Sequence, residues 1–177
     1  MFKRRAAGHG RHQRGRTQVR CMLAVLTGAL LLGAVTAAQA LTLKPLEGPA
    51  VEVTISELGA MPHQSVTVRD PNGAAHTYGG VALATLLARI GAPAGMAVRG
   101  PAMAEGVLVT AADGYRVVLT LPEIDPVFRD EKVVLADSED GRPLDAHEGP
   151  LRLIYEGDKR PGRWARGVTA IALVAVR

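Results

Sequence analysis

Asp145-Ala-His147-Glu-Gly149-Pro-Leu-Arg152-Leu-Ile-Tyr155-Glu-Gly157-Asp-Lys159-Arg-Pro-Gly-Arg163-Trp164-Ala-Arg166-Gly-Val-Thr-Ala-Ile171 is the segment around which the chain is organised. Leu151 to Tyr155 is a short apolar run with the pattern of a buried strand. A loop broken by Gly157, Pro161 and Gly162 follows, and it carries Lys159, Arg160, Arg163 and Arg166. The chain's only tryptophan, Trp164, comes next, and residues 168–176 then read as a final strand. The segment predicts strand, basic loop, strand at the end of a β-rich domain, with everything upstream as scaffold.

Upstream, Val51-Glu-Val-Thr-Ile55 and Ser65-Val-Thr-Val-Arg69 alternate apolar and polar residues, the period of a strand with one buried face. Asp70-Pro71-Asn72-Gly73 is a turn, because proline suits an early turn position and Gly73 supplies positive φ. His76-Thr-Tyr78 then returns, so residues 65–79 predict a hairpin. Gly79-Gly80 is read as a break in the chain, with a helix beyond it. Leu83, Leu86, Leu87 and Ile90 stand at i, i+3, i+4 and i+7, one apolar helical face, and Gly91 and Pro93 end it. Residues 106–111 and 115–121 flank Ala112-Asp113-Gly114, a second hairpin signal. Leu121 to Pro126 reads as a short turn or helix, Lys132 to Asp137 as a strand, and Ser138 to Pro143 as a polar turn. Ser56 with Glu57 predicts the cap of a short helical turn through Ala60. Leu41 to Pro49, with two prolines, reads as a linker-like arm. About six to eight strands and one firm helix make a single compact α+β domain over residues 50–177, dominated by β structure.

Composition narrows the functional classes. Seven of the 21 Lys/Arg residues lie in residues 1–40, which hold no acid. Residues 41–177 keep 14 bases against 17 acids, a net charge of −3, so the overall +4 is no argument for nucleic-acid binding. The leader has a charged start (Lys3, Arg4, Arg5, Arg11, Arg14, Arg16, Arg20), an apolar run over Met22–Val35 and an Ala38-Gln39-Ala40 cleavage pattern. The apolar run is shorter than the roughly 20 residues that span a bilayer. It predicts a secretory signal over residues 1–40, a mature chain from Leu41 and a periplasmic or secreted protein with no membrane span after cleavage. Arg4-Arg5 stands far from the apolar run, which favours general secretion over twin-arginine export. Gln-Val-Arg before Cys21 is not a small-residue lipobox. Cys21 is the only cysteine, so the mature chain has no disulfide and no thiolate for a metal or a nucleophile.

Five ordered groups of residues carry a family likeness. They are Tyr78-Gly-Gly80-Val-Ala-Leu83 with Leu86-Leu87 and Gly91; Ala112-Asp-Gly114-Tyr115; Leu121-Pro-Glu123; Leu135-Ala-Asp137 with Gly141-Arg-Pro143-Leu144; and Gly149-Pro-Leu151-Arg152-Leu153 leading to Gly157, Trp164 and Ile171. The set resembles the molybdopterin-binding domain of the sulfite oxidase family, in a small secreted stand-alone form. The resemblance runs from about residue 50 to the C-terminus. It implies a sulfite-oxidase-type molybdopterin-binding fold, coiled β-sheets around a pterin cleft, and molybdopterin-dependent oxidoreductase chemistry. Catalytic members of that family ligate molybdenum through a cysteine on the loop that corresponds to Arg69–Thr77. Here that loop is a short turn without cysteine. A soft metal centre then lacks its protein anchor, which argues against a competent sulfite oxidase.

The residues of the cleft can be read in two ways. By resemblance, Tyr115, His147, Arg152, Lys159, Arg163 and Trp164 would contact a molybdopterin or another anionic ligand, since guanidinium groups suit phosphate geometry. By residue type, the basic loop is solvated and offset by Glu148, Glu156 and Asp158, Trp164 caps the core, and His147 is a surface histidine. Residue type favours the second reading at each of these positions. His63, His76 and His147, spaced by 13 and 71 residues, fit no local metal motif. Asp137, Glu139 and Asp140 beside Gly141 lack the ligand alternation of a calcium loop and read as a hairpin turn. No G-x-S-x-G is present, and Gly79-Gly80 lacks the Lys-Ser/Thr of a phosphate loop. Three functional expectations follow: a degenerate oxidoreductase-like domain; a non-catalytic module using the cleft for an anionic small molecule or a redox or periplasmic partner protein; and an enzyme whose molybdenum is held by the pterin alone.

Overall fold

Ten strands form two five-stranded sheets in the computed structural model, which describes residues 39–70 and 72–175. The expected leader lies outside the described residues except at its end, Gln39 and Ala40. The first sheet runs β2–β1–β10–β5–β6, built from β1 (Ala40–Lys44), β2 (Val51–Thr54), β5 (Glu105–Ala111), β6 (Arg116–Thr120) and β10 (Val168–Ala175). The second runs β3–β4–β7–β8, from β3 (His63–Arg69), β4 (Ala75–Ala82), β7 (Val133–Glu139) and β8 (Arg142–Pro143). In it β9 (Arg152–Tyr155) also pairs with β7. Three short helices, α1 (Ile55–Gly59), α2 (Leu83–Ala88) and α3 (Leu121–Ile124), sit between strands. The architecture is α+β and β-dominated, as the strand count predicted.

The segment from Asp145 to Ile171 joins the two sheets. β9 belongs to one and β10 to the other. The loop between them folds back on β9: Leu153 N–H donates to Ala165 O at 2.8 Å, and Val168 N–H donates to Leu151 O at 2.9 Å. All four β9 residues are buried. One apolar cluster draws Leu41, Leu43, Val107, Val109 and Ile171 from the first sheet and Val66, Val81, Leu135, Leu153 and Ile154 from the second. Burial of that aliphatic surface is the main force holding the sheets together.

The structure corrects the sequence reading at four places. Residues 41–49 are not only an arm: β1 opens there, parallel to β10 and antiparallel to β2. The two prolines, Pro45 and Pro49, lie after the strand, and Leu41 and Leu43 are fully buried. Gly79-Gly80 does not break the chain but lies inside β4 at a register shift against β7. A Cβ at Gly80 would collide with the Leu135 carbonyl and Ala136 Cα, so the glycine marks close backbone approach. Helix α2 is shorter than its apolar face, because Val81 and Ala82 complete β4 and residues 89–91 form turns. Thr54, not Ser56, caps α1: its Oγ1 accepts from Glu57 N–H at 3.2 Å, and Glu57 Oε2 accepts from Thr54 N–H at 2.7 Å.

The two predicted hairpins are present. Asp70 N–H donates to Ala74 O at 2.9 Å, and Asp70 Oδ1 accepts from Asn72 N–H and Ala74 N–H at 2.9 and 2.8 Å. This closes the β3–β4 turn tightly. Gly114, at φ +85°, turns β5 into β6. Among the described residues, no helix is long and apolar enough to cross a membrane.

Candidate functional site

β9 and its returning loop place Arg152 in the interior. Its guanidinium lies against two rings, 5.3 Å from the centre of Tyr78 and 5.7 Å from that of Trp164. The rings meet edge to face at 6.4 Å. Arg152 is 6% exposed and Trp164 7%, so this is a desolvated guanidinium. Arg152 Nη1 donates to Tyr78 Oη at 3.0 Å, and the Tyr78 hydroxyl donates to Glu139 Oε1 at 2.9 Å. Burial pushes the Tyr78 hydroxyl up to about 12 although Arg152 opposes the shift, so Tyr78 remains a neutral donor.

Glu148 supplies the counter-charge. Arg152 Nη1 makes an ion pair with Glu148 Oε2, and Arg166 Nε meets Glu148 Oε1 at 3.0 Å. Arg166 Nη1 also approaches His147 Nε2 at 3.2 Å. One carboxylate thus joins a buried and an exposed arginine. The cluster leaves two buried donors, Arg152 Nε and Trp164 Nε1, with no acceptor among the described residues.

Trp164 and Arg166 line an open cleft of about 240 Å³ with Asp113, Tyr115, Pro161, Gly162 and Ala165. Tyr115 is half exposed, and its hydroxyl donates to Gly162 O at 2.5 Å across the cleft. The structure therefore brings Tyr115, Trp164, Arg166, His147 and Arg152 into one neighbourhood. Arg166 belongs to this wall although the sequence reading ranked Arg163 above it.

Arg163 has a different role. Its Nε and Nη2 donate to the two oxygens of Asp158 at 3.1 and 2.5 Å, and Nη1 donates to Glu123 Oε1 at 3.0 Å. Its guanidinium stands 4.5 Å over the Tyr155 ring. The Asp158 hydrogen bonds hold its pKa above the ordinary arginine range. Burial acts to raise the Glu123 carboxyl, but hydrogen bonds from Thr120 and Arg163 outweigh it and hold the group below the usual range. Glu123 also closes the capping box of α3 with Thr120, so Arg163 ties the basic loop to that helix. Lys159 and Arg160 are exposed, with no carboxylate partner among the described residues. Asp158 pairs with Arg163 and Glu148 with Arg166, but Glu156 pairs with no basic side chain among the described residues and accepts from Lys132 N–H at 3.0 Å instead, and the burial of Arg152 follows neither reading.

The three histidines do not converge, since each meets a different group. His63 Nε2 lies 2.7 Å from Asp137 Oδ2, His76 Nδ1 lies 2.9 Å from Glu139 Oε1, and His147 meets Arg166. A larger cleft, of about 430 Å³, is lined by Ile55, Asp137, Arg142, Leu144 and Pro150 among others. Its walls come from three separated segments, and Asp137 and Gly141 to Leu144, noted in the sequence only as a turn and a family likeness, meet Ile55 and Pro150 only in the fold.

No protein-family model matches the chain, and no curated protein matches it. Among solved structures, the sulfane dehydrogenase SoxCD from Paracoccus pantotrophus is similar, with a TM-score of 0.57 at 19% identity. The similarity covers 77% of this chain and 39% of that one, so the chain spans less than half the length of its structural neighbour. At that identity the likeness is one of fold.

Proposed function

We propose that the chain is a sulfite-oxidase-type domain that has lost molybdenum chemistry and serves as a secreted, periplasmic, non-catalytic binding module for an anionic ligand. The fold likeness to a dehydrogenase supports the sulfite-oxidase-type reading of the sheets. The residues do not fit a molybdenum cofactor: no thiolate exists beyond Cys21, and the β3–β4 turn is closed by the Asp70 hydrogen bonds. The Trp164 cleft, at about 240 Å³, is also below the roughly 300–1,000 Å³ of pockets that enclose a drug-sized ligand.

The observation that carries the binding reading is the accessible Arg166 guanidinium on the wall of the Trp164 cleft. Trp164 lines the cleft and Arg152 lies on its ring, and both keep a buried N–H without an acceptor. Each unpaired buried donor costs about 1–3 kcal/mol, and because both are enclosed they are not offered to a ligand in the open cleft. Arg166, half exposed at the rim, adds an accessible guanidinium. Tyr115 offers a ring to the flat part of such a ligand.

Assay of molybdenum and pterin in protein purified from its native source is the test. Folded protein free of both supports the module. Stoichiometric molybdenum overturns it in favour of an enzyme that holds the metal through the pterin alone. Phosphate titration then tests the cleft itself: Arg166→Ala should abolish any saturable phosphate binding, and binding that survives this change would move the ligand elsewhere.

A further inference from the structure

A second constellation stands apart from the cleft, at the end of β4 and β7. Tyr78 faces Glu139 across the antiparallel pair, and Asp140 opens the turn into β8. His76 Nδ1 lies 2.9 Å from Glu139 Oε1 and 3.6 Å from Asp140 Oδ2. The three ligand atoms of His76, Glu139 and Asp140 all lie within 4.8 Å of one another. His76 Nε2 faces Asp70 Oδ2 at 4.0 Å.

We propose that His76, Glu139 and Asp140 bind a first-row divalent transition ion, with zinc as its representative. The charge balance is the first argument. Three carboxylates, Asp70, Glu139 and Asp140, face one imidazole, and among the described residues none of the three has a lysine or arginine ion-pair partner. Even a protonated His76 would leave two negative charges uncompensated, the charge a divalent ion supplies. The geometry is the second argument. Ligands of tetrahedral zinc at about 2.0–2.1 Å from the metal stand roughly 3.3 Å from each other. The observed 2.9 and 3.6 Å separations bracket that value, with one ring nitrogen close to both oxygens. One Nδ1–H can satisfy only one of those oxygens, whereas a metal in its place satisfies both.

The surroundings orient the ligands. Glu139 is held by the buried Tyr78 hydroxyl, which Arg152 holds in turn, so an outer shell reaches from the interior to the site. Asp140 uses Oδ1 to accept from Thr77 N–H at 2.9 Å and keeps Oδ2 for the ion. The donor set is one nitrogen and two carboxylate oxygens, which suits zinc and its neighbours better than calcium, with its demand for six to eight oxygens.

Zinc titration of the purified full chain by calorimetry, with the His76 ring followed by NMR, tests the site. Wild type should bind one equivalent and shift the His76 ring signals. His76→Gln and Asp140→Asn should each weaken binding by at least about tenfold. Asp140 has φ +48°, a conformation asparagine adopts readily, and asparagine keeps the Oδ1 acceptor, so that variant reads the site even if His76→Gln disturbs the hairpin. His63→Gln should leave binding unchanged. Absence of saturable binding in wild type overturns the proposal. So does undiminished affinity in Asp140→Asn, or an equal loss in His63→Gln, which would put the ion at the other histidine.

Discussion

Arg152 and Arg163 stand eleven positions apart in one segment, and the fold uses them in contrasting ways. Arg152 is buried against the Tyr78 and Trp164 rings and shares Glu148 with Arg166. Arg163 lies partly in water, forks onto Asp158 and reaches Glu123. Both are cations on aromatic faces with carboxylate partners, and they differ in desolvation. A buried guanidinium cannot be removed without stranding its partners, whereas water reaches Arg163 and Glu123, each about one-third exposed, although Asp158 is as enclosed as Glu148. The contrast assigns Arg152 to the core of the domain and Arg163 to the attachment of a loop.

The largest predicted effect follows from this. Arg152→Ala should cost about 3–5 kcal/mol of unfolding free energy in urea melts, because Glu148 and the Tyr78 hydroxyl lose their buried partner. A loss below about 1 kcal/mol would break the comparison and mark Arg152 as another solvated cation. Arg163→Ala should cost less, about 1–2 kcal/mol after allowance for solvent screening of a one-third-exposed side chain. Its penalty should depend on pH in a defined direction. Glu123 has a depressed folded-state pKa, so its contribution is complete above its unfolded value near 4.5 and is lost as pH falls through the folded value. Arg163 is one cause of that depression. The gap between wild type and Arg163→Ala should therefore narrow as melts are moved from pH 6 to pH 3, and a constant gap would remove Glu123 from the account. Arg166→Ala should change stability by no more than about 0.5 kcal/mol, since half of that side chain is in water and Glu148 keeps Arg152.

Local chemistry made much of this fold readable in advance. The turn residues of Asp70–Gly73 and Asp113-Gly114 set both hairpins, and the Leu83/Leu86/Leu87 face announced α2. Long-range pairing was not readable. β1 reads locally as an arm because its parallel partner, β10, lies more than a hundred residues away. Gly79-Gly80 reads locally as a breaker, and only the crossing backbone of Leu135 and Ala136 shows why glycine is needed within a strand. The site was half visible for the same reason. The sequence groups Tyr115, His147, Arg152 and Trp164, but nothing near Arg152 in sequence points to Tyr78, 74 residues away, and nothing near Arg163 points to Glu123, 40 residues away. Those distant partners decide which arginine is interior.

A last effect extends the comparison to a cation that can be switched off. His63 contacts Asp137 at 2.7 Å near the surface, and the hydrogen bond its ring donates to the Asp137 carboxylate raises its pKa above the ordinary histidine value, with the bond to the Met61 carbonyl adding to the rise. A raised histidine contributes stability that is complete below its unfolded value of about 6.5 and is lost as pH rises through the folded value. Asp137→Asn removes the charge and keeps the shape. Its cost should be at most about 1 kcal/mol at pH 5.5 and should shrink toward zero by pH 8.5 in paired urea melts. An arginine pair cannot behave this way, because its cation persists across that range. If the Asp137→Asn penalty stays constant with pH, the pair is a neutral hydrogen bond. The ordering by desolvation would then apply only to the arginines, the cations that cannot escape burial by losing a proton.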